Sequence, residues 1–239
     1  MIVKHLAKLR QVDLYNEDHP AAFIKWYLRD LSVVEDLIRQ SYAQLVVFKP
    51  LKDTYRVHLL LDHFPGAKAL FAFRHYDDVV NSARRKFYDA DGYVLRPAHD
   101  DRRPQVVRWI DSNFVEFAPA PPPDELKQRI TAMWRPSLNL ESNIALDWWF
   151  TNQLFFERNL DSDERVRLVQ YEAIVKNPEN EFESLCCFLG LPFEPEIGEG
   201  VFSSSVGRNP VPNIDAEVRL ACEVLWQQIN DANHYRMAR

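Results

Sequence analysis

Residues 64–87, FPGAKALFAFRHYDDVVNSARRKF, are the stretch that most restricts what this chain can become. Residues 68–73 form a short apolar run behind a Pro65-Gly66 turn signal, the pattern of a strand buried on both faces of a parallel sheet. Asp77 and Asp78 then fall in a first helical turn, where carboxylates suit the positive end of the helix dipole. Val79, Val80, Ala83 and Phe87 follow as an apolar stripe at helical spacing. Arg74 is left at the carboxyl end of the strand and Ser82 early in the helix. Helical side chains lean toward the helix N-terminus, so the Ser82 hydroxyl and the Arg74 guanidinium converge just outside the sheet edge, where open α/β sheets bind ligands. A fork of N–H donors beside a hydroxyl suits a phosphate oxygen. The competing reading pairs Arg74 with Asp77 or Asp78 and leaves Ser82 as a tolerated surface residue. On spacing alone, that reading prevails.

The alternation of strand and helix recurs along the chain. No period is visible in residues 1–19, but Phe23, Tyr27, Leu31, Val34, Ile38 and Tyr42 predict a helix running from Pro20. Residues 44–48 are a β-branched run ending in Lys49-Pro50, and Asp53 or Thr54 is placed to cap a helix bearing Val57, Leu60 and Leu61. Later, 139–159 carry a heavily aromatic helical pattern and 165–170 a further strand. Asn177, Pro178 and Gly190 bound a helix that buries Phe182, Leu185, Phe188 and Leu189, and a terminal helix begins near Ile214. Such alternation predicts a single α/β domain over 1–239, a parallel sheet flanked by helices with right-handed crossovers. The two early strands then bring their ends, Lys49 and Arg74, to one edge, and two cations there point to an anion. Residues 89–123 are an irregular excursion with one short helix around 105–114. The Ala-Pro-Ala-Pro-Pro-Pro run at 118–123 reads as a stiff connector rather than a ligand for proline-recognition domains.

Charge limits the partners. A net charge of −6 argues against a nucleic-acid or anionic-membrane surface, so an anion site must be a local pocket in an acidic exterior. The three cysteines, Cys186, Cys187 and Cys222, make neither a disulfide ladder nor a metal set, which fits reduced thiols and a cytoplasmic location. No apolar stretch approaches the ~20 residues of a membrane span.

The residues Phe64, Pro65, Ala67, Lys68, Arg74, Asp78, Val79, Val80 and Ser82 resemble the 3′-phosphate-binding segment of the sulfotransferase family, in which a strand after F-P-x-A-K ends in Arg and the next helix begins D-V-V-x-S. Residues 169–192, VQYEAIVKNPENEFESLCCFLGLP, are similar to that family's Tyr-Glu segment, whose corner lies near the adenosine half of the cofactor. Ser204, Ser205, Gly207 and Arg208 match a late S-S-x-G-R-like loop that closes over the cofactor phosphates.

The resemblance implies a fold related to P-loop NTPases and the cofactor 3′-phosphoadenosine 5′-phosphosulfate (PAPS). The cofactor contacts it implies are Arg74, Ser82, Tyr171, Ser204, Ser205, Gly207 and Arg208, with Lys49 as the catalytic residue facing the transferred group or the acceptor. The implied reaction is in-line attack by a hydroxyl or amine of a small-molecule or glycan acceptor. The general base is unassigned, since the position two residues after Lys49, a His in some members, is Leu51.

One family feature has no counterpart here. The Gly-rich P-R-S-G-[ST]-T loop that holds the 5′-phosphosulfate is missing, because none of the six glycines precedes Gly66. The expectation is therefore a domain whose first strand and phosphate loop are absent, either truncated at its N-terminus or a non-catalytic relative that binds a nucleotide or a protein. Such a chain should transfer sulfate poorly, and the 44–48 strand should have an open flank. A kinase or GTPase is disfavoured by the lack of a Lys-bearing phosphate loop.

Overall fold

The computed structural model describes residues 1–89, 91, 94, 95, 103–201, 207 and 209–237, with side chains through 234. In chain order the elements begin α1 (Ile2–Leu6), β1 (Val12–Tyr15), β2 (Phe23–Ile24), β3 (Tyr27–Leu28), α2 (Leu31–Gln40), β4 (Leu45–Phe48) and α3 (Val57–His63). They continue with β5 (Ala69–Phe73), α4 (Tyr76–Phe87), α5 (Gln105–Asp111), α6 (Asp124–Met133), α7 (Leu140–Glu157), β6 (Val166–Gln170), α8 (Tyr171–Lys176), α9 (Pro178–Leu189) and α10 (Ala216–Met237). The chain divides into two compact units, residues 1–54 with 173–203 and residues 55–172 with 204–239.

In the first unit, β1 and β4 pair in parallel from Val12↔Leu45 to Tyr15↔Phe48. The rings of the last pair stack with centroids 5.1 Å apart, and the Lys49 N–H extends the ladder by donating to the Tyr15 carbonyl at 3.0 Å. Residues 1–19 thus hold a strand that the sequence pattern hides, because VDLY is too short to show a period and carries a charge at Asp13. It occupies one flank of β4, so the expected open edge is covered on that side. The helix expected from Pro20 is also shorter. Only Leu31–Gln40 is helical, and Phe23 and Tyr27 lie instead in a tight β2–β3 hairpin, paired Phe23↔Leu28 and Ile24↔Tyr27. Lys25 and Trp26 turn it with φ of 50° and 69°, and buried Asp53 fixes it by accepting the Leu28 N–H at 2.8 Å. A helical spacing of apolar residues cannot reveal such a contact from a residue so far along the chain.

α9 ends where expected, at Gly190 in the left-handed region with φ 74°. Asn177 occupies its N-cap position, although its side chain makes no capping hydrogen bond. On α1, His5 is buried against Phe182, and its Nδ1–H donates to the Ile197 carbonyl at 2.6 Å.

The second unit is built around α7. Asn139 caps it, its side-chain oxygen accepting the Ser142 N–H at 2.8 Å. The helix is buried on most sides, with Ile144, Ala145, Leu146, Trp149, Phe150, Leu154 and Phe155 all buried and Asn143, Asn152 and Gln153 buried among them, as befits a central helix. Trp109, Phe114 and Phe117 surround Phe150 at 5.0–5.5 Å between ring centroids, and Phe71 of β5 meets Phe155 at 4.9 Å. Burying each such ring contributes roughly 1.5–3 kcal/mol, so this cluster dominates the packing of the unit. α4 and α10 pack on α7 as well; on α10, Val218, Cys222, Leu225 and Ile229 are the buried positions. Of the α4 stripe, Val80 is fully buried but Phe87 is exposed; Tyr76, at the start of the helix, is buried as well. The proline run is anchored as a connector: Arg158 donates to the Ala120 and Pro121 carbonyls, both at 2.8 Å, and Tyr55 to the Ala118 carbonyl at 3.1 Å.

Candidate functional site

β5 and β6 are parallel and in step from Ala69↔Val166 to Phe73↔Gln170. The residues that next leave the ladder, Arg74 and Tyr171, therefore emerge side by side at its carboxyl edge. The Arg74 guanidinium carbon lies 4.4 Å from the centroid of the Tyr171 ring, a cation–π contact. Four residues on, Asp78 comes round the first turn of α4 and takes Nη2 of Arg74 on its Oδ2 at 2.9 Å. Both side chains are largely buried, at 16% and 9% exposure, so the guanidinium is held in one place.

Glu172 ties the two strand ends together. Its Oε1 accepts the His75 N–H at 3.0 Å and lies 4.0 Å from Arg74 Nε. From α7, Trp148 Nε1 donates to the Arg74 carbonyl at 3.0 Å. Gly207, at φ 62°, points its N–H at the same Asp78 oxygen at 3.3 Å. A side chain at Gly207 would meet no described neighbour within 4 Å, so what glycine supplies there is the left-handed backbone. His75 caps α4 by accepting the Asp77 N–H at 3.3 Å. Tyr76 donates to Glu223 at 2.8 Å, and its phenol is pushed far above its ordinary range by burial and by that carboxylate.

Among the residues singled out from the sequence, Arg74, Tyr171 and Gly207 form one cluster. Ser82 sits further along α4, half-buried. Lys49, in the other unit, directs its ammonium to Glu17 at 2.7 Å. Ser204, Ser205 and Arg208 lie outside the described residues. The pairing of Arg74 with Asp78, weighed against the functional reading from the start, is real, and it orients the guanidinium. Sequence reasoning missed Trp148 as a partner of the strand end and Asp78 as the joint between Arg74 and Gly207. The signals for both are weak: one of two adjacent tryptophans in an aromatic helix, and one of two adjacent aspartates.

No helix among the described residues is long and apolar enough to cross a membrane. A sulfotransferase-domain family profile matches residues 4–206. No curated protein matches the chain. Among solved structures, a sulfotransferase from Alicyclobacillus acidocaldarius aligns over 100% of this chain and 90% of its own, with 14% identity and a TM-score of 0.52, a likeness of fold. The sulfotransferase domain from the curacin biosynthetic pathway aligns over 69% of this chain with 21% identity and a TM-score of 0.39, and the chain spans 45% of that domain's length. The family match takes in residues 4–206, most of the sequence: the chain belongs to the sulfotransferase family.

Proposed function

We propose that the chain binds PAPS, or its product adenosine 3′,5′-bisphosphate, and serves transfer of a sulfuryl group to a hydroxyl or amine of a small-molecule or glycan acceptor. The family match runs across both compact units, which supports reading them as parts of one sulfotransferase domain. The observation that carries the nucleotide reading is the in-step β5–β6 pairing that seats Arg74 on Tyr171 and fixes it with Asp78.

The donor set fits a phosphate. A guanidinium held by a carboxylate on one nitrogen and an aromatic ring beneath its plane offers a fixed fork, the form in which arginine binds phosphate best. In this reading Arg74 and Ser82 hold the 3′-phosphate, and Ser204, Ser205, Gly207 and Arg208 supply further donors. Tyr171 flanks the adenosine half, and Lys49 faces the transferred group or the acceptor. The bound cofactor would supply the sulfuryl group. This chain's residues bind and orient it: Asp78 and Glu172 keep Arg74 from swinging away, and Trp148 fixes the backbone from which it projects.

Titration calorimetry tests the reading. The chain should bind adenosine 3′,5′-bisphosphate more tightly than 5′-AMP, and Arg74→Ala should remove most of the difference. A charge-assisted contact contributes about 1.5–3 kcal/mol, or about a tenfold to hundredfold change in Kd. Equal affinity of the wild-type chain for the two nucleotides refutes it.

A further inference from the structure

Residues 209–215, NPVPNID, form no helix or strand, yet they are tied down almost residue by residue. Two ties come from α4, where Arg85 donates to the Asn209 side-chain oxygen at 2.7 Å and Asn81 to the Pro210 carbonyl at 3.0 Å. The start of α7 supplies three more. Asn139 donates to the Asn213 carbonyl at 2.8 Å, the Glu141 carboxylate accepts the Asn213 N–H, and the Ser142 hydroxyl accepts the Asp215 N–H at 2.9 Å. Arg219 of α10 donates to the Pro212 carbonyl at 2.8 Å. Pro212 and Ile214 are buried beneath the segment, while Val211 is 75% exposed. Irregular segments ordinarily satisfy their backbone with water. This one is a strap whose carbonyls and N–H groups are met by side chains from three helices.

The strap begins two residues after Gly207, whose N–H rests on Asp78, and Asp78 in turn holds Arg74. Asn81 and Arg85 stand on the same helix as Asp78, so the strap and the carboxylate are fixed to one rigid element. Glu141 reinforces this from α7: besides accepting from Asn213 it pairs with Arg84 of α4 at 2.6 Å. We propose that Asn81, Arg85 and Glu141 are positioning residues for the 3′-phosphate site. They act through the strap, which keeps Gly207 on Asp78 and so keeps the Arg74 guanidinium in its binding orientation. The inference rests on the nucleotide reading given above and adds residues that touch neither phosphate nor acceptor.

The readout is the ratio of affinities for adenosine 3′,5′-bisphosphate and 5′-AMP. General loss of stability lowers the folded fraction and scales both affinities alike, so a merely structural role leaves the ratio unmoved. Calorimetry on Asn81→Ala, Arg85→Ala and Glu141→Ala should show the ratio falling by about threefold to tenfold, the worth of one neutral hydrogen bond. Glu141→Gln, which keeps an oxygen for the Asn213 N–H, should restore it. Combining Asn81→Ala with Arg74→Ala should lower the ratio no further than Arg74→Ala alone, since both act at one grip. A wild-type ratio well above one that all three alanine variants leave unchanged overturns the strap inference and spares the nucleotide reading. A wild-type ratio of about one overturns both.

Discussion

Asp78 is the residue on which the geometry of the strand end turns, and removing it has a calculable cost. Its Oδ2 takes Nη2 of Arg74 at 2.9 Å and the Gly207 N–H at 3.3 Å, with the side chain 9% exposed. Breaking a buried ion pair from one side costs about 3–5 kcal/mol, because the surviving charge stays desolvated. Here Arg74 is 16% exposed and keeps Glu172 within 4.0 Å of Nε, so Asp78→Ala should cost less, about 2–3 kcal/mol. Asp78→Asn keeps an oxygen in the same place and loses only the charge, which should cost about 1 kcal/mol, the gap between a charge-assisted and a neutral hydrogen bond. Urea unfolding followed by far-UV circular dichroism measures both. With a slope of about 1–3 kcal/mol per molar urea, Asp78→Ala should move the midpoint down by roughly 0.7–3 M while the slope stays constant. The same variant should bind adenosine 3′,5′-bisphosphate more weakly, since it frees both Arg74 and Gly207. An alanine variant within about 0.5 kcal/mol of wild type, the ordinary range for a surface change, would refute the claim that this carboxylate orients the arginine.

Two further outcomes are expected. Trp148→Phe keeps an aromatic ring near Tyr76 but removes the N–H that meets the Arg74 carbonyl; it should cost about 1 kcal/mol in urea unfolding, and no measurable change would show the bond to be incidental. His5 has its pKa lowered from 6.5, chiefly by burial and also by the nearby Lys8 charge, with its bond to Ile197 acting the other way. The folded state therefore resists protonation. Above pH 6.5 neither state is charged at His5 and its stability contribution is fully present; as pH falls below 6.5 the unfolded chain takes up the proton first and stability is lost. His5→Asn, whose amide replaces the Nδ1–H donor, should flatten thermal stability between pH 7 and pH 5, and an unchanged slope would assign the acid sensitivity elsewhere.

What the sequence made legible follows the range of the interactions involved. β5, α4, α7, β6, α9 and α10 each carry their own signals: a turn before the strand, acidic residues in the first turn, Asn139 as a cap, Gly190 as a stop. Those signals act within a few residues, so a linear reading finds them. β1 and the β2–β3 hairpin depend on partners far along the chain. VDLY becomes a strand only against Leu45–Phe48, and the hairpin is set by Asp53 and by two residues at positive φ that no spacing announces. The site divides in the same way. Arg74 and Tyr171 were visible as strand ends beside recognisable motifs. Their adjacency depends on the β5–β6 register, and Trp148, Glu172 and Asn81 contribute through contacts a linear reading does not contain.

The ion pair of Arg74 with Asp78 is compatible with the proposed role of Arg74 as a phosphate ligand. An arginine free in solvent loses rotamer entropy each time it closes on an anion, on the order of 1.5–2 kcal/mol for so long a side chain. At the end of β5 that entropy is already lost on folding, because Asp78 and the Tyr171 ring fix the guanidinium before any ligand arrives. In the proposed complex the same carboxylate would oppose the phosphate: at an effective dielectric near 20, two unit charges separated by roughly 7 Å repel by about 2 kcal/mol. Orientation and repulsion are thus of similar size in the proposed complex, so Arg74 alone does not decide the affinity.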